Sequence, residues 1–375
     1  MRRYLHEQIL KDLRKKMVIV TGPRQVGKTY LAKEVMKSFA SPQYLNHDNE
    51  NDRRIIRQRS WRLDARLLVF DEIHKMKRWK TFLKGTFDSR DEDQAILVTG
   101  SSRLETFRQS GDSLAGRYLH LRLHPLSVKE LHGTLSPFEA VEKLNRLGGF
   151  PEPFLSDSEE EASRWRNQYY TDLIREDILE FGRIQEIKAM RQLVELLRVR
   201  VGSPLSYVSL AQDLQISPNT VKKYVSILES LYIVFLVRPF HRNISRSILR
   251  EPKLYFYDSG YLKGEEGARL ENTCAVCLLK HVQYLFDARG KDTDLCYIRT
   301  KDGKDCDFVV VEEGSPSTLI EVKVSDRRPA RSLAHFAGRF PRAKAVQLVH
   351  HLHQEEYQGG VHILRAGDWL AGLEA

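Results

Sequence analysis

Gly22-Pro23-Arg24-Gln25-Val26-Gly27-Lys28-Thr29 is the stretch of sequence that decides the fold. It matches the pattern G-x-x-x-x-G-K-[ST] in full, with an apolar run before it at 17–21 and an amphipathic run after it at 28–39. A strand that turns through glycines into a helix surrounds phosphate oxygens with backbone N–H groups and the positive end of the helix. We therefore expect Lys28 to meet the β- and γ-phosphates and Thr29 to bind Mg²⁺.

Short apolar runs alternate with amphipathic stretches on both sides of this loop. The predicted strands cover 17–21, 43–46, 67–71, 95–99 and 118–123, and the predicted helices between them cover 28–39 and 48–58. This alternation is typical of an α/β fold, a P-loop NTPase parallel sheet with helices on both faces. The glycine- and proline-rich stretch at 148–153 then predicts a boundary, which gives a first domain over 1–150.

Polar residues at the ends of two predicted strands extend the phosphate site. Asp71 ends a buried strand, where it can hold the magnesium shell, and Glu72 follows it as the residue that polarises the attacking water. The alternative is a solvated strand end. Thr99 ends the next strand, before Ser101 and Ser102, and these hydroxyls either sense the γ-phosphate or cap a helix.

No N-K-x-D motif occurs, so ATP is preferred to GTP. The candidate nucleotide-binding residues are Gly22, Pro23, Arg24, Gln25, Val26, Gly27, Lys28, Thr29, Tyr30 and Thr99. The predicted cofactors are ATP and Mg²⁺.

Composition and charge limit the classes of protein. With 375 residues, of which 41% are hydrophobic and 29% charged, the chain has the balance of a globular protein and not of a disordered one. No apolar run approaches the ~18 residues of a membrane helix, and four cysteines are too few for a disulfide scaffold. We expect a cytoplasmic protein with reduced thiols and no membrane partner.

The formal net charge of +10 favours a polyanionic partner such as DNA. Residues 186–250 hold ten lysines and arginines but only four acids, so the surplus is concentrated in this segment. A solvated basic face is the alternative explanation.

Three signatures resemble those of a prokaryotic AAA-type ATPase family whose members carry a C-terminal domain of unknown function, DUF4143. They are Leu114-Ala115-Gly116-Arg117, Leu121-Arg122-Leu123-His124-Pro125-Leu126-Ser127 and Gly148-Gly149-Phe150-Pro151-Glu152. The resemblance covers nearly the whole chain. It implies a catalytic glutamate beside the magnesium aspartate and a homo-oligomer, such as a hexameric ring, in which one subunit completes its neighbour's site. A neighbouring subunit can complete a nucleotide site with an arginine that stabilises the charge of the transition state, and Arg117 is the candidate for this role. The alternative is that Arg117 pairs with an acid inside its own domain.

The middle region, 151–250, is predicted to contain helices followed by a winged helix over 205–236. Ser217 and Pro218 form a favourable helix start, and the apolar residues Val221, Val225 and Leu228 recur at helical spacing. The opposite face has the composition of a recognition helix, and a cation follows in the wing. The candidate DNA-binding residues are Asn219, Thr220, Lys222, Lys223 and Arg242. The alternative is a winged helix used only for protein contacts.

The C-terminal region, 251–375, is predicted to be a smaller α/β domain. Asp307 lies on one predicted strand, and Glu321 and Lys323 share a face of the next. This arrangement resembles the D…E-x-K signature of restriction-endonuclease-like nucleases, in which Asp307 and Glu321 would hold Mg²⁺ and Lys323 would activate water. Glu271 could supply a further acid. The alternative is an inactive DNA-binding or assembly domain.

Two weaker patterns remain in this C-terminal region. Cys274-x-x-Cys277 lies in a predicted helix and favours buried thiols over a zinc site. His350-His351-x-His353 follows a strand and favours a polar edge over a metal site.

The catalytic candidates are Lys28, Glu72, Arg117, Asp307, Glu321 and Lys323, and the metal ligands are Thr29, Asp71, Asp307 and Glu321. Our main interpretation is an ATP-hydrolysing, oligomeric protein that recognises or remodels branched or damaged DNA, with a nuclease-like tail. The rival is a nucleotide-gated switch that controls a protein partner without DNA.

Overall fold

The computed structural model describes residues 2–100, 114–179, 184–240, 251–300, 302–326 and 328–375, with side chains except at 176–186. The chain forms two compact units, Met1–His124 and Pro125–Ala375. Among the described residues, no helix is long and apolar enough to cross a membrane.

A five-stranded parallel sheet organises the first unit. Its strands are β1 (Met17–Thr21), β2 (Pro42–Asn46), β3 (Leu67–Asp71), β4 (Ala95–Thr99) and β5 (Tyr118–Arg122), in the order β2-β3-β4-β1-β5. The helices are His6–Leu13, Lys28–Met36, Glu50–Gln58 and Trp79–Asp88, with a 3-10 turn at Ile73–Lys75. All five predicted strands are confirmed to within a residue. β1, β3 and β4 are buried along their whole length, as their continuous apolar sequences require.

The strand order places the carboxyl ends of β1, β3 and β4 next to one another at one edge of the sheet. Asp71 pairs with Thr99 across β3 and β4, and Thr99 pairs with Val20 across β4 and β1. Because the strands are parallel, their carboxyl ends lie together at this edge, where the glycine-rich loop leaves β1.

An eight-stranded mixed sheet organises the second unit. Its strands are β6 (Val234–Pro239), β7 (Lys253–Phe256), β8 (Thr293–Arg299), β9 (Asp305–Glu312), β10 (Ser315–Lys323), β11 (Lys344–Val349), β12 (Glu356–Gln358) and β13 (Val361–Arg365), in the order β12-β13-β11-β10-β9-β8-β6-β7. The helices are Val128–Leu131, Pro137–Leu147, Pro151–Ser156, Glu159–Leu179, Ile184–Leu197, Tyr207–Leu214, Pro218–Ser230, Glu266–Arg289, Arg331–Arg339 and Ala366–Ala371, with a 3-10 turn at Ser259–Tyr261.

The structure divides the chain at a different point from the predicted boundary at 150. Leu126 to Leu373 contribute to one continuous hydrophobic cluster, so residues 125–150 pack with the second unit. Gly148 is part of that packing, because its φ is +73° and a Cβ there would lie 1.8 Å from Oδ1 of Asp258. Asp258 is itself buried and paired with Arg166 at 2.8 Å. The glycine-rich stretch is therefore a close-packed corner inside the second unit.

The end of the predicted winged helix belongs to a larger sheet in the structure. β6 and β7 form an antiparallel hairpin, but β6 also pairs in parallel with β8 at Arg238 and Pro239. The hairpin thus belongs to the C-terminal sheet, and the predicted middle and C-terminal domains share one sheet and one core.

Candidate functional site

The glycine-rich loop is tightly folded against the start of its helix. Gly22 has a φ of +151°, and a Cβ there would lie 2.2 Å from the carbonyl oxygen of Leu123, so only glycine fits. Gly27 has a φ of +97° and precedes Lys28–Met36. These two residues give the loop the curvature that the motif predicts.

Lys28 is the buried cation of this loop. Its Nζ donates to the carbonyl oxygens of Gly22 at 2.9 Å and Pro23 at 2.5 Å. Burial lowers the pKa of Lys28 to about 8, although Glu72 and Asp71 act in the opposite direction. A buried ammonium held mainly by neutral carbonyls is suited to receive a phosphate anion.

Asp71 connects the loop to the neighbouring strands. Its Oδ2 accepts a hydrogen bond from Thr29 Oγ1 at 3.0 Å, and its Oδ1 accepts one from Thr99 Oγ1 at 2.6 Å. Tyr44 also donates its hydroxyl hydrogen to Asp71. The structure thus joins Thr29, Asp71 and Thr99, and it adds Tyr44, which sequence reasoning missed because the place of β2 beside β3 follows from strand order.

Glu72 follows in a strained backbone conformation. Its φ is +53°, in the left-handed region, and its N–H donates to the carbonyl of Thr99 at 3.0 Å. Its Oε2 lies 3.6 Å from both His74 Nε2 and Lys75 Nζ. Burial raises the pKa of Glu72, which makes its carboxylate a stronger base. Strain of this kind concentrates at functional sites.

The remaining residues of the predicted nucleotide set are arranged along the loop. Val26 is buried, and its carbonyl oxygen accepts a hydrogen bond from the Arg3 guanidinium at 2.6 Å. The sequence did not predict this contact, because Arg3 is distant from the loop in the chain. Tyr30 is exposed on the first turn of the helix. Ser101 and Ser102 lie outside the described residues.

Arg117 forms an ion pair within its own unit, one of the two alternatives left open by the sequence. Its Nε and a terminal nitrogen donate to the two carboxylate oxygens of Asp88 at 2.7 and 3.0 Å. It lies just before β5, whose first residue pairs with Met17 at the start of β1. Arg117 is therefore at the edge of the sheet opposite the glycine-rich loop.

The predicted recognition helix is Pro218–Ser230. The Ser217 side chain accepts from the backbone N–H of Thr220, which is the predicted cap, and Val221, Val225 and Leu228 are buried as expected. Asn219, Lys222 and Lys223 are exposed, whereas Thr220 is half-buried and its hydroxyl lies 2.8 Å from that of Ser217. Arg242 lies outside the described residues.

A second constellation forms at the junction of β9 and β10. Asp307 Oδ2 accepts from the backbone N–H of Val322 at 3.0 Å, and Lys323 Nζ donates to Glu321 Oε1 at 2.8 Å. Glu321 is buried, and its Oε2 has no hydrogen-bond partner among the described residues. The structure thus brings the predicted Asp307, Glu321 and Lys323 together, as strand alternation requires.

Three more residues complete this acidic cluster, which we define as Asp307, Glu321, Lys323, Glu271, Lys253 and Tyr255. Lys253 Nζ lies 3.2 Å from Asp307 Oδ1 and 3.6 Å from Glu271 Oε1. Tyr255 donates to Glu271 Oε1 at 2.7 Å. Glu271 is the further acid that the sequence suggested. Lys253 and Tyr255 were missed, although their spacing of two residues places both on one face of β7.

The two glutamates of the acidic cluster, Glu271 and Glu321, have raised pKa values. Burial, followed by the charge of Asp307, raises the pKa of both Glu271 and Glu321 to about 7. Burial alone would lower the pKa of Lys253, but Asp307 and Glu271 raise it above its ordinary value. The cluster therefore combines acids that hold protons with an ammonium that stays charged.

The cysteines take no part in either site. All four are free and buried, as the sequence favoured, and burial raises the pKa of the Cys274 and Cys277 thiols.

Three domain families match successive parts of the chain. Residues 14–132 match an AAA domain, 139–267 match a domain of unknown function, DUF8612, and 266–369 match another, DUF4143. The AAA and DUF4143 matches support an AAA-type P-loop ATPase with a C-terminal DUF4143 domain.

Similar proteins share modest identity with the chain. An uncharacterized protein of Mycobacterium tuberculosis is 28% identical over 264 residues, which cover 70% of this chain and 57% of the relative. The chain thus spans little more than half the length of that relative. An uncharacterized protein of Methanocaldococcus jannaschii is 25% identical over 350 residues, with 84% and 76% covered.

Two solved structures have weaker likeness. A Walker-type ATPase of Pyrococcus abyssi has a TM-score of 0.42 and 14% identity, covering 68% of this chain and 93% of its own. A RuvB variant of Thermotoga maritima has a TM-score of 0.32 and 16% identity, covering 62% and 88%. Neither likeness bears on the function of this chain.

Proposed function

We propose that the chain is an ATP-hydrolysing, oligomeric protein that binds branched or damaged DNA and carries a Mg²⁺-dependent phosphodiesterase site in its C-terminal region. The observation that carries the DNA part of this proposal is the convergence of Asp307, Glu321 and Lys323 at the junction of β9 and β10. The ATPase part rests on the loop geometry and on the AAA domain match.

ATP hydrolysis follows from the residues around the loop. When ATP binds, Lys28 would leave the carbonyl oxygens of the loop and contact the β- and γ-phosphates. Thr29 and Asp71 fit a magnesium shell, because their side-chain oxygens already lie 3.0 Å apart. When bound, Mg²⁺ would offset the negative charge of the phosphates. Glu72 accepts a proton from the attacking water, and Thr99 keeps Asp71 oriented through its hydrogen bond.

In the proposed oligomer, Arg117 is assigned to the nucleotide site of a neighbouring subunit. Five strand residues at about 3.3 Å each, or roughly 16 Å, separate the two edges of the sheet, so Arg117 is far from the loop of its own subunit. An arginine in this position contributes to catalysis only at a neighbour's nucleotide. Its half-exposed pair with Asp88 is weak enough to exchange for a phosphate.

DNA contact is assigned to the recognition helix. Asn219, Lys222 and Lys223 are exposed on one face while the opposite face is buried, which is the arrangement that lets a helix enter the major groove. The lysines would contact phosphates, and Asn219 at the start of the helix could contact a base edge. The charge surplus of 186–250 supports this surface.

Phosphodiester cleavage is assigned to the acidic cluster. Glu321 Oε2, buried and without a partner among the described residues, is the donor that best fits a divalent cation. When bound, Mg²⁺ would supply the charge that polarises the phosphate. Lys323 would orient the attacking water beside Glu321, and Lys253 would have to release Asp307 before that carboxylate could share the ion.

Cleavage of duplex and branched DNA in Mg²⁺ or Mn²⁺ tests this proposal. We expect metal-dependent cutting that is lost in Asp307→Ala, Glu321→Ala and Lys323→Ala. Asp302→Ala, in the turn before β9, is the matched control and should cut normally. DNA that is bound but never cut, under any of these metal conditions, would reduce the cluster to a binding module and overturn the phosphodiesterase assignment.

A further inference from the structure

A group of potential metal ligands lies at the end of β11 and shares no side chain with the two sites described above. Glu266 is the first residue of the helix Glu266–Arg289, and His350 and His351 directly follow β11. One ligand atom from each of these three residues lies within 4.8 Å of the other two. The sequence favoured a polar edge for this histidine run, but it could not show that Glu266 approaches it.

A bend in the chain brings the two consecutive histidines together. On a regular strand their side chains would point to opposite faces. Here β11 ends at Val349, and the backbone N–H groups of His350 and His351 donate to the carbonyls of Lys323 and Val324 at 3.1 and 2.8 Å. The two rings lie 4.6 Å apart between centroids. The pairing is thus fixed by backbone contacts with the end of β10.

His350 is held in the orientation that a metal ligand needs. Its ring is buried and stacked on Phe138, with centroids 4.6 Å apart and planes inclined by 8°. Its Nε2 makes a short contact with the carboxylate of Glu142, while its Nδ1 is buried with no hydrogen-bond partner in the described part of the chain. A carboxylate that accepts one ring N–H leaves the other nitrogen with a free lone pair, which is the common second-shell arrangement at histidine metal sites.

His351 and Glu266 provide the accessible side of the group. His351 Nε2 lies 2.9 Å from Glu266 Oε1, and each side chain is about half exposed. Atoms this close need to separate only by a few tenths of an ångström to bind a common ion at about 2.0–2.1 Å.

We propose that Glu266, His350 and His351 form a binding site for a divalent transition-metal ion of the Zn²⁺ class, with His350 binding through Nδ1. Two imidazoles and one carboxylate suit zinc and related ions and disfavour Mg²⁺ and Ca²⁺. Three protein ligands leave a fourth position open to water or substrate. A cavity of about 410 Å³, lined in part by Phe138, Leu352, Arg365 and Asp368, adjoins the histidines and gives that position access.

Co²⁺ titration of the metal-free full-length protein tests this site, because tetrahedral Co²⁺ has visible absorption bands. We expect one tetrahedral Co²⁺ per chain, displaced by equimolar Zn²⁺ and with absorption bands unaffected by millimolar Mg²⁺. His351→Ala and Glu266→Gln should each weaken Co²⁺ binding by at least ~100-fold, and Glu142→Gln should weaken it by ~10–100-fold through His350. His353→Ala, which removes the third histidine of the run, should leave the affinity unchanged.

Because the side chains of His351 and Glu266 are half exposed, we expect both variants to fold. Thermal unfolding of the metal-free proteins checks this. The proposal is overturned by the absence of tetrahedral Co²⁺ bands, or by an affinity that both variants leave unchanged. An equal loss in His353→Ala would also overturn it, since the histidine run and not the three proposed ligands would then bind the ion. Asp307→Ala should not affect Co²⁺ binding, which separates this site from the acidic cluster.

Discussion

Two buried lysines, each close to two carboxylates, show how differently the two candidate sites are built. Lys28 in the glycine-rich loop donates to neutral carbonyls, and burial lowers its pKa to about 8. Lys253 in the acidic cluster lies 3.2 Å from Asp307 and 3.6 Å from Glu271, and these acids raise its pKa despite burial.

The difference indicates what each site lacks. The ammonium of Lys28 is incompletely compensated, so an anionic ligand such as a nucleotide phosphate stabilises the loop. The ammonium of Lys253 already has its counter-ions, so a metal ion at Asp307 must compete with it. A phosphate can therefore bind at the nucleotide site without displacing a counter-ion. At the acidic cluster, Lys253 must first move away from Asp307 before a metal ion can bind there.

The largest effect is expected at the nucleotide site. Lys28→Ala should abolish ATP hydrolysis and weaken nucleotide binding, because the phosphates lose their buried point charge. Nucleotide binding and steady-state ATPase assays measure both. Lys37→Ala, at the end of the same helix, is the control that should retain activity. A Lys28→Ala enzyme that turns over normally would place the ATPase site elsewhere.

Glu72→Gln should separate binding from chemistry. The amide cannot accept a proton, so turnover should fall by about 10²–10⁴-fold while ATP affinity is retained. Single-turnover kinetics and equilibrium binding measure the two quantities, with Glu50→Gln on the exposed helix of the same unit as the control. Turnover equal to that of the parent would remove Glu72 from the mechanism.

Replacing each lysine by methionine tests the comparison through stability. Lys253→Met should cost about 3–5 kcal/mol in the free energy of unfolding at pH 8, because Asp307 and Glu271 lose their buried partner. Lys28→Met without nucleotide should be neutral or stabilising, because it removes a poorly compensated buried charge. Denaturant unfolding measures both variants.

The same measurement at pH 5 sharpens the test. Glu271 has a pKa raised to about 7, so its neutral form stabilises the fold at low pH and that contribution is lost as the pH rises through 7. The cost of Lys253→Met should therefore shrink at pH 5, where Glu271 holds a proton. An equal cost at both pH values, or equal effects of the two substitutions, would contradict the comparison.

Much of the nucleotide site could be predicted from sequence because its parts are local. The motif fixes the loop, and the parallel strands place Asp71 and Thr99 beside it. Tyr44 and Arg3 were not predictable, since they reach the site through tertiary packing.

The second unit was harder to predict because its pairings are distant in sequence. The shared sheet depends on β6 meeting β8, where Arg238 pairs with Cys296. Asp307, Glu321 and Lys323 could be placed from strand alternation alone, but the position of Lys253 depends on β7 joining that sheet at its far edge. The boundary near 150 was misplaced because glycines signal a turn equally well at a linker and in a packed corner.

The smallest expected effect concerns the recognition helix. Lys222→Ala with Lys223→Ala should weaken DNA binding across sequences and reduce the salt slope of binding by up to about two, because two phosphate contacts are lost. Binding measured over a range of salt concentrations gives the slope, and Lys291→Ala with Lys344→Ala, two exposed lysines elsewhere in the unit, is the matched control. An unchanged salt slope would show that Lys222 and Lys223 do not contact phosphates and that DNA binds to another face of the protein.

The ATPase rate measured with single-stranded, duplex and branched DNA tests the central proposal most directly. If the chain couples ATP hydrolysis to DNA, at least one DNA form should change the rate, and that change should be reduced in the Lys222→Ala, Lys223→Ala variant. A rate that no DNA form alters, together with no DNA binding at low salt, would contradict the proposal and favour a nucleotide-gated switch for a protein partner.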